Sequence, residues 1–232
     1  MESAAFPQRG GFEHVESWVF DLDNTLYPAS CRLFDQIEKR MGLFVQKFLE
    51  LDTEADAKVI QKQYFREYGT TLNGLMQVNG VDPHDYLNFC HDIDYSNVEV
   101  SERLDAALRV LPGQKLVFTN GDRHHSERVL NKLGVTHHFE GYFDIIDADF
   151  IPKPEQKPYE DFFSTFNVDP TKAAFFEDSA RNLKTGHELG MTTVHVLTDS
   201  LWAQAPDDAD FIHHSCEEIE GFLETVITQH LG

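Results

Sequence analysis

Four short apolar runs constrain the fold of this chain more than any other feature of the sequence. Each ends in polar or small residues and leads further on to an amphipathic helical stretch. Buried strands that alternate with helices are typical of a doubly wound, parallel α/β sheet of the Rossmann-like kind. The predicted strands are Ser17–Leu22, Lys115–Thr119, Ala173–Glu177 and Thr192–Leu197, with weaker candidates at Tyr142–Ile146 and Phe211–His213.

The stretch from residue 29 to residue 109 breaks this alternation. Apolar residues recur there at helical spacing, and Asp82-Pro83 is typical of a helix start, with an N-cap followed by proline. Because no strand pattern appears, we predict an all-helical insert after the first strand. The predicted domains are therefore an α/β core of residues 1–28 and 110–232 and a helical cap of residues 29–109.

Composition limits the partners of the chain. The 232 residues carry 40 acidic and 19 basic side chains, for a formal charge of −21. Such an acidic surface repels nucleic acids and anionic membranes, so neither is an expected partner. A phosphate ligand would need local positive charge from a metal ion or a lysine. The oligomeric state is left open.

Several patterns favour a cytoplasmic location and argue against zinc. No apolar stretch is long enough to span a bilayer, and residues 1–16 lack the pattern of a signal peptide. Three cysteines without metal-ligand spacing are expected to be reduced thiols. The histidine pairs, such as His124-His125, lack the spacing of zinc ligands and are expected to be solvated.

Two carboxylates follow the first predicted strand. Side chains two apart on an extended segment project the same way, so Asp21 and Asp23 are expected to converge. Two such carboxylates repel each other unless a cation or substrate compensates them. The pair therefore suits a divalent metal, phosphate chemistry or both, although a turn with a helix cap is the alternative.

Three further elements join this pair at one edge of the predicted sheet. Each alone is also compatible with an ordinary turn, loop or helix cap. Together they offer carboxylates for a cation, and a hydroxyl, an amide and a lysine for phosphate oxygens, which is the equipment of phosphoryl transfer. The elements are Thr119-Asn120-Gly121, Lys153-Pro154, and Glu177-Asp178-Ser179 with Asn182.

In this order and spacing, the four elements resemble the motifs of the haloacid dehalogenase superfamily. The resemblance implies that Asp21 is the nucleophile, Asp23 the acid and base, and Thr119 and Lys153 stabilisers of the transferring phosphoryl group. It assigns phosphate or substrate binding to Thr25, Asn120 and Asn182. It implies Mg²⁺, held by Asp21, the backbone carbonyl of Asp23, Asp178 and Glu177. An acid at position 23 is similar to the superfamily's phosphatases and unlike its dehalogenases.

A finer resemblance concerns the substrate. The run Asp23–Pro28 and the insert segment 64–75 are similar to the pyrimidine 5′-nucleotidases, which implies hydrolysis of nucleoside monophosphates such as UMP and CMP. Phe34, Tyr64, Tyr68 and Asn73 are candidates for contact with a base or ribose. The alternatives are another small phosphate ester such as a sugar phosphate or phosphoglycolate, a phosphomutase, and a non-catalytic binding protein. Lys157 also precedes a proline and is the alternative to Lys153.

Overall fold

Six parallel strands form one sheet in the computed structural model, which describes residues 11–200, 202–206 and 209–230. The strand order is β3-β2-β1-β4-β5-β6, so β1 lies inside the sheet between β2 and β4. The strands are β1 Ser17–Phe20, β2 Gln114–Phe118, β3 Gly141–Phe143, β4 Ala173–Glu177, β5 Thr192–Val196 and β6 His214–Cys216.

Helices begin and end where the local sequence supplies caps. The side chains of Thr53, Ser101 and Asp122 accept hydrogen bonds from backbone amides in the first turns of the helices that follow them. Gly134, in the left-handed region, ends α6. The α-helices are α1 Leu33–Phe48, α2 Glu54–Tyr68, α3 Thr71–Gly74, α4 Pro83–Cys90, α5 Glu102–Val110, α6 Arg123–Leu133, α7 Gln156–Phe166, α8 Ala180–Glu188 and α9 Ile219–His230.

The two faces of the sheet pack against different helices. Trp18 and Phe20 of β1 join a cluster with buried residues of α5, α6 and α9. Val19 points to the opposite face, in a cluster with residues of α7 and α8. A strand that is buried on both faces reads as a continuous apolar run, which explains why β1 was recognisable in the sequence. The predicted fold class, a doubly wound α/β sheet, is confirmed.

The insert between β1 and β2 has an apolar cluster of its own. Helices α1 to α4 contribute buried side chains such as Ile37, Val45 and Tyr86 to it. Helix α5 instead packs on α9 and adds Leu104 and Leu108 to the cluster around the sheet. These contacts support a helical insert on the core. The division at residues 29 and 109 stays a prediction, and residues 1–10, 201, 207, 208, 231 and 232 lie outside the described residues.

Five of the six predicted strands need corrected bounds. β2 begins and ends one residue earlier than predicted, β5 ends one residue earlier, and β3 is Gly141–Phe143 and not Tyr142–Ile146. The first strand ends at Phe20 and not at Leu22, because a turn begins there and the amides of Thr25 and Leu26 donate to the Leu22 carbonyl. The last strand is His214–Cys216 and not Phe211–His213. The Phe211 carbonyl accepts from the side-chain hydroxyl of Thr193 in β5, and the His213 amide donates to the same hydroxyl. The backbone ladder between β5 and β6 begins only at His214.

The three cysteines are free thiols, as predicted. Across the described ranges, every helix is too short or too polar to cross a lipid bilayer.

Candidate active site

The turn after β1 brings two carboxylates to the carboxyl edge of the sheet. The amide of Asp21 still donates to the Phe176 carbonyl of β4, 2.9 Å away, which fixes Asp21 beside the neighbouring strand. Asn24 adopts a left-handed conformation with φ of 59°, which asparagine tolerates better than most residues. Asp21 and Asp23 line one cavity: Asp21 continues the pairing with β4, whereas Asp23 lies in the turn that follows.

A buried lysine joins the motifs. Lys153 is 2% exposed, and its Nζ donates to Asp21 Oδ1 at 2.8 Å, to Glu177 Oε2 at 2.7 Å and to the Phe118 carbonyl at 2.7 Å. The two carboxylates raise the pKa of Lys153 although burial acts to lower it. Lys153 is therefore held as a cation between β1, β2 and β4.

Negative charge still exceeds positive charge around this lysine. Oxygen atoms of Asp21, Glu177 and Asp178 lie within 4.8 Å of one another, and all three residues are buried. Burial and the neighbouring Glu177 raise the pKa of Asp21 to about 7, against the opposing charge of Lys153. Burial, Glu177 and Asp21 raise the pKa of Asp178 well above its usual range. Hard oxygen donors that are buried with too little positive charge suit a divalent cation.

Asp23 has a different environment. Its Oδ1 accepts hydrogen bonds from Tyr27 Oη at 2.5 Å and from His125 Nε2 at 2.7 Å. Burial acts to raise the pKa of Asp23, but His125 and the two hydrogen bonds outweigh burial and hold it below its ordinary value. The two aspartates of the first motif are thus electrostatically distinct.

The loop after β2 holds the backbone of Lys153 in place. The Oδ1 of Asn120 accepts from the Lys153 amide at 2.8 Å, and its Nδ2 donates to the Lys153 carbonyl at 3.2 Å. The Thr119 hydroxyl accepts from the Gly121 amide at 3.0 Å. Thr119 and Asn120 line the cavity, so this loop both borders the site and fixes the backbone of Lys153.

Three other predicted residues differ in whether they reach the cavity. Asn182 lines the cavity from the first turn of α8, but within the described residues no hydrogen bond joins its side chain to Asp178 or Lys153. Thr25 is 2% exposed and is absent from the cavity wall, and its hydroxyl has no partner in the described part of the chain. Lys157 is exposed and pairs with Asp161. The structure therefore brings Lys153 to the cavity and leaves Lys157 on the surface.

Residues of the insert and of the carboxyl edge of the sheet together line a cavity of about 830 Å³. Phe34 lines it, whereas Tyr64, Tyr68 and Asn73 do not. The Tyr64 hydroxyl donates to Asn79 Oδ1 at 2.8 Å, and the side-chain Nδ2 of Asn73 donates to the Tyr68 carbonyl at 2.8 Å, so these polar groups form hydrogen bonds within the insert.

The site lies within a stretch of the chain that matches a known protein family. Residues 18–190 match the model of the haloacid dehalogenase-like hydrolases, and they include most of β1, the insert and every motif residue described above. The chain belongs to the haloacid dehalogenase-like hydrolases.

This hydrolase is also similar to a yeast protein. "Phosphate metabolism protein 8" of Saccharomyces cerevisiae is 28% identical over 205 residues, which cover 78% of this chain and 62% of the yeast protein. The hydrolase thus matches less than two thirds of that relative's length.

Solved structures share the fold. The HAD-hydrolase YfnB of Bacillus subtilis, a structure with bound magnesium, superposes with a TM-score of 0.61 at 16% identity, covering 91% of this chain and 98% of YfnB. The L-2-haloacid dehalogenase of Xanthobacter autotrophicus gives a TM-score of 0.57 at 13% identity, covering 94% of this chain and all of the dehalogenase. At these identities the likeness concerns the fold alone.

Two features of the hydrolase's site were missed from the sequence. Basic side chains line the cavity in a chain that is strongly acidic overall, and three of them lie on one face of α2 at helical spacing: Lys58, Lys62 and Arg66. That spacing was visible in the sequence, but which face of α2 meets the cavity was not. The second is His125, which was expected to be solvated and is instead fully buried against Asp23.

Proposed function

We propose that this hydrolase is a Mg²⁺-dependent phosphatase that cleaves a small phosphomonoester through an aspartyl-phosphate on Asp21. The observation that carries the proposal is the buried Lys153, which bonds Asp21 and Glu177 while Asp178 remains close by. A carboxylate attacks a phosphate dianion poorly unless nearby positive charge compensates both. Lys153 supplies part of that charge, and a cation is needed for the rest.

The donor set indicates which residues would hold the cation. Lys153 occupies Oδ1 of Asp21, and both oxygens of Glu177 accept hydrogen bonds, from Lys153 and from the Ser179 amide. We therefore assign the metal chiefly to Asp21 and Asp178, with the Asp23 carbonyl as a further candidate, and give Glu177 the role of holding Lys153. A bound Mg²⁺ would neutralise charge on the phosphate oxygens.

The two aspartates then divide the chemistry. An Asp21 carboxylate oxygen attacks phosphorus, the bond from phosphorus to the ester oxygen breaks, and Asp23 gives its proton to the leaving alkoxide. Asp23 next takes a proton from water as that water attacks phosphorus and breaks the bond to Asp21, which releases inorganic phosphate. A phosphate dianion beside Asp23 raises the pKa of Asp23, which favours the protonated form that the first step needs.

For the substrate, we propose a pyrimidine nucleoside 5′-monophosphate. The cavity lies within the range of small-molecule sites. Three aromatic side chains line it and pack near one another: the ring of Trp202 is centred 6.1 Å from that of Phe34 and 6.3 Å from that of Phe65. Such ring faces suit a planar base. The basic residues of α2 favour the second candidate, an alcohol with a negative charge of its own, as in phosphoglycolate.

A phosphate-release screen tests this proposal. The purified chain is incubated with Mg²⁺ and a panel that contains UMP, CMP, purine nucleotides, sugar phosphates and phosphoglycolate, beside a sample with excess chelator. We expect release from UMP and CMP that the chelator abolishes. Preference for phosphoglycolate would select the second candidate, and no release from any ester would refute the phosphatase.

Metal binding should also change the stability of the folded protein. A carboxyl whose folded-state pKa exceeds its unfolded value favours the folded state when protonated, so the metal-free protein gains stability as the pH falls from about 7 towards 3.8 for Asp21. Mg²⁺ competes with those protons. Saturating Mg²⁺, at about 100 times its Kd, is expected to stabilise the protein by about 2.7 kcal/mol near neutral pH, and by less in acid.

Thermal unfolding with and without Mg²⁺, at about pH 8 and about pH 5.5, measures this. Asp178→Asn should lose most of the shift, whereas Asp85→Asn, at an exposed aspartate of α4, should keep it. An equal shift in Asp178→Asn, or a larger shift in acid, would contradict the assignment.

A further inference from the structure

One oxygen of the Asp23 carboxylate, Oδ1, accepts two hydrogen bonds from side chains. Within the described residues, both side-chain donors to Asp23, Tyr27 and His125, reach Oδ1. The other oxygen, Oδ2, lies toward the loop after β2, because a Cβ added at Gly121 would meet it at 3.8 Å and the Thr119 hydroxyl at 3.4 Å. Thr119 and Gly121 both line the cavity. The hydrogen bonds thus leave Oδ2 on the side where a substrate would bind.

His125 is itself fixed on several sides. It is fully buried, and its backbone amide donates to Asp122 Oδ1 at the start of α6. Its Nδ1 lies 2.9 Å from the Tyr95 hydroxyl, and its ring stacks on His91 with centroids 4.5 Å apart and planes 15° apart. His91 is in turn bound to Asp122, with Nδ1 and Oδ2 2.6 Å apart.

These contacts connect the insert to Asp23. His91 and Tyr95 follow α4, Asp122 and His125 follow β2, and Asp23 follows β1. A histidine on a solvated face of a helix would not need protein partners for its ring nitrogens, because water would supply them. Burying a polar ring costs free energy unless its nitrogens are bonded, and here both nitrogens have partners.

We propose that His125 is a positioning residue that holds Oδ1 of Asp23 and thereby aims Oδ2 at the ester oxygen of the substrate. The inference rests on the proposed phosphatase function, in which Asp23 moves the proton. Since proton transfer requires hydrogen-bond distance and alignment, a carboxylate free to rotate would spend less time in the productive orientation. Tyr27 holds the same oxygen, so loss of His125 alone weakens the alignment without removing it.

Leaving-group dependence separates positioning of an acid from a structural effect. The alcohol of UMP needs a proton as it leaves, whereas p-nitrophenol leaves as a stable anion. A variant that misaligns Asp23 should therefore slow the hydrolysis of UMP much more than the hydrolysis of p-nitrophenyl phosphate. Damage to the fold should slow both alike.

The informative variants are two amides that differ by one methylene. His125→Gln places its amide nitrogen near the position of Nε2 and can still donate to Asp23, whereas His125→Asn is too short. We expect His125→Asn to lower kcat/KM for UMP by about 30-fold or more, a part of the roughly 10²–10⁴-fold that general acid–base catalysis contributes, and for p-nitrophenyl phosphate by less than about threefold. His125→Gln should stay within about threefold of wild type on both. His124→Asn, whose side chain is 86% exposed, is the matched control and should change neither rate.

Equal losses on the two substrates, or equal losses in His125→Asn and His125→Gln, would overturn the inference. If the screen selects another alkyl monophosphate, that ester replaces UMP. If the wild-type chain hydrolyses no ester at all, the proposed function has failed and the positioning role is judged by structure alone. Crystal structures of wild type and His125→Asn should then differ in the orientation of the Asp23 carboxylate, and an unchanged carboxylate would refute the role of His125.

Discussion

Replacing Asp21 with asparagine is expected to lower phosphate release by on the order of 10⁴-fold or more, the usual cost of removing a covalent nucleophile. The amide keeps the shape of the carboxyl and can still accept from Lys153, but it cannot form the acyl-phosphate bond. Burial beside Glu177 already raises the pKa of Asp21 to about 7, so loss of this charge should cost little stability. We therefore expect an inactive and folded protein.

Acid quench during turnover gives the direct readout. Wild type should retain labelled phosphate on the protein, in a form that hydroxylamine releases, and Asp21→Asn should retain none. Asp85→Asn is the matched control, since this exposed aspartate lies on the surface of α4. Hydrolysis by Asp21→Asn at a rate near that of wild type would exclude the covalent mechanism while leaving the hydrolase family assignment intact.

The sequence predicted those parts of the site that depend on strand ends. Asp21, Thr119 and Asp178 each follow a strand that is buried and therefore apolar, and parallel strands present their carboxyl ends at one edge. Once the strands were recognised, the convergence of these residues followed from topology. The helical insert was predictable for a similar reason, because apolar residues at helical spacing are a local pattern.

Contacts between distant segments were not predictable. His125 meets Asp23 across 102 residues of sequence, and its neighbour His124 is exposed, so nothing in the pair shows which ring is buried. The hydrogen bonds between the Asn120 side chain and the Lys153 backbone were equally unpredictable, because an Asn-Gly pair is typical of an ordinary turn. The position of the Thr25 side chain was not predictable either. The residue lies within the motif, but the turn buries its hydroxyl away from the cavity.

Replacing Lys153 with methionine should have the second large effect, on both stability and activity. Methionine fills a similar volume but leaves the buried Asp21 and Glu177 without their cation. Removing one partner of a buried ion pair typically costs about 3–5 kcal/mol, because the remaining charge has lost its compensation. The rate of phosphate release should fall as well, because the transferring phosphoryl group loses a charged hydrogen-bond donor. Lys157→Met is the matched control: this lysine is exposed, so its loss should change neither the melting temperature nor the activity measurably.

The pH dependence of the Lys153→Met effect distinguishes lost charge compensation from lost packing. Lys153 acts to lower the pKa of Asp21, so its removal raises that pKa further above the unfolded value. In the variant Asp21 takes up its proton at a higher pH than in wild type, so the deficit should shrink as the pH falls from alkaline values to about 7 and should change little at lower pH, where Asp21 is protonated in both proteins. Urea unfolding of wild type, Lys153→Met and Lys157→Met across this range measures the deficit. A deficit that is constant with pH would mean that Lys153 contributes by packing, and the electrostatic basis of the proposed phosphate site would then be wrong.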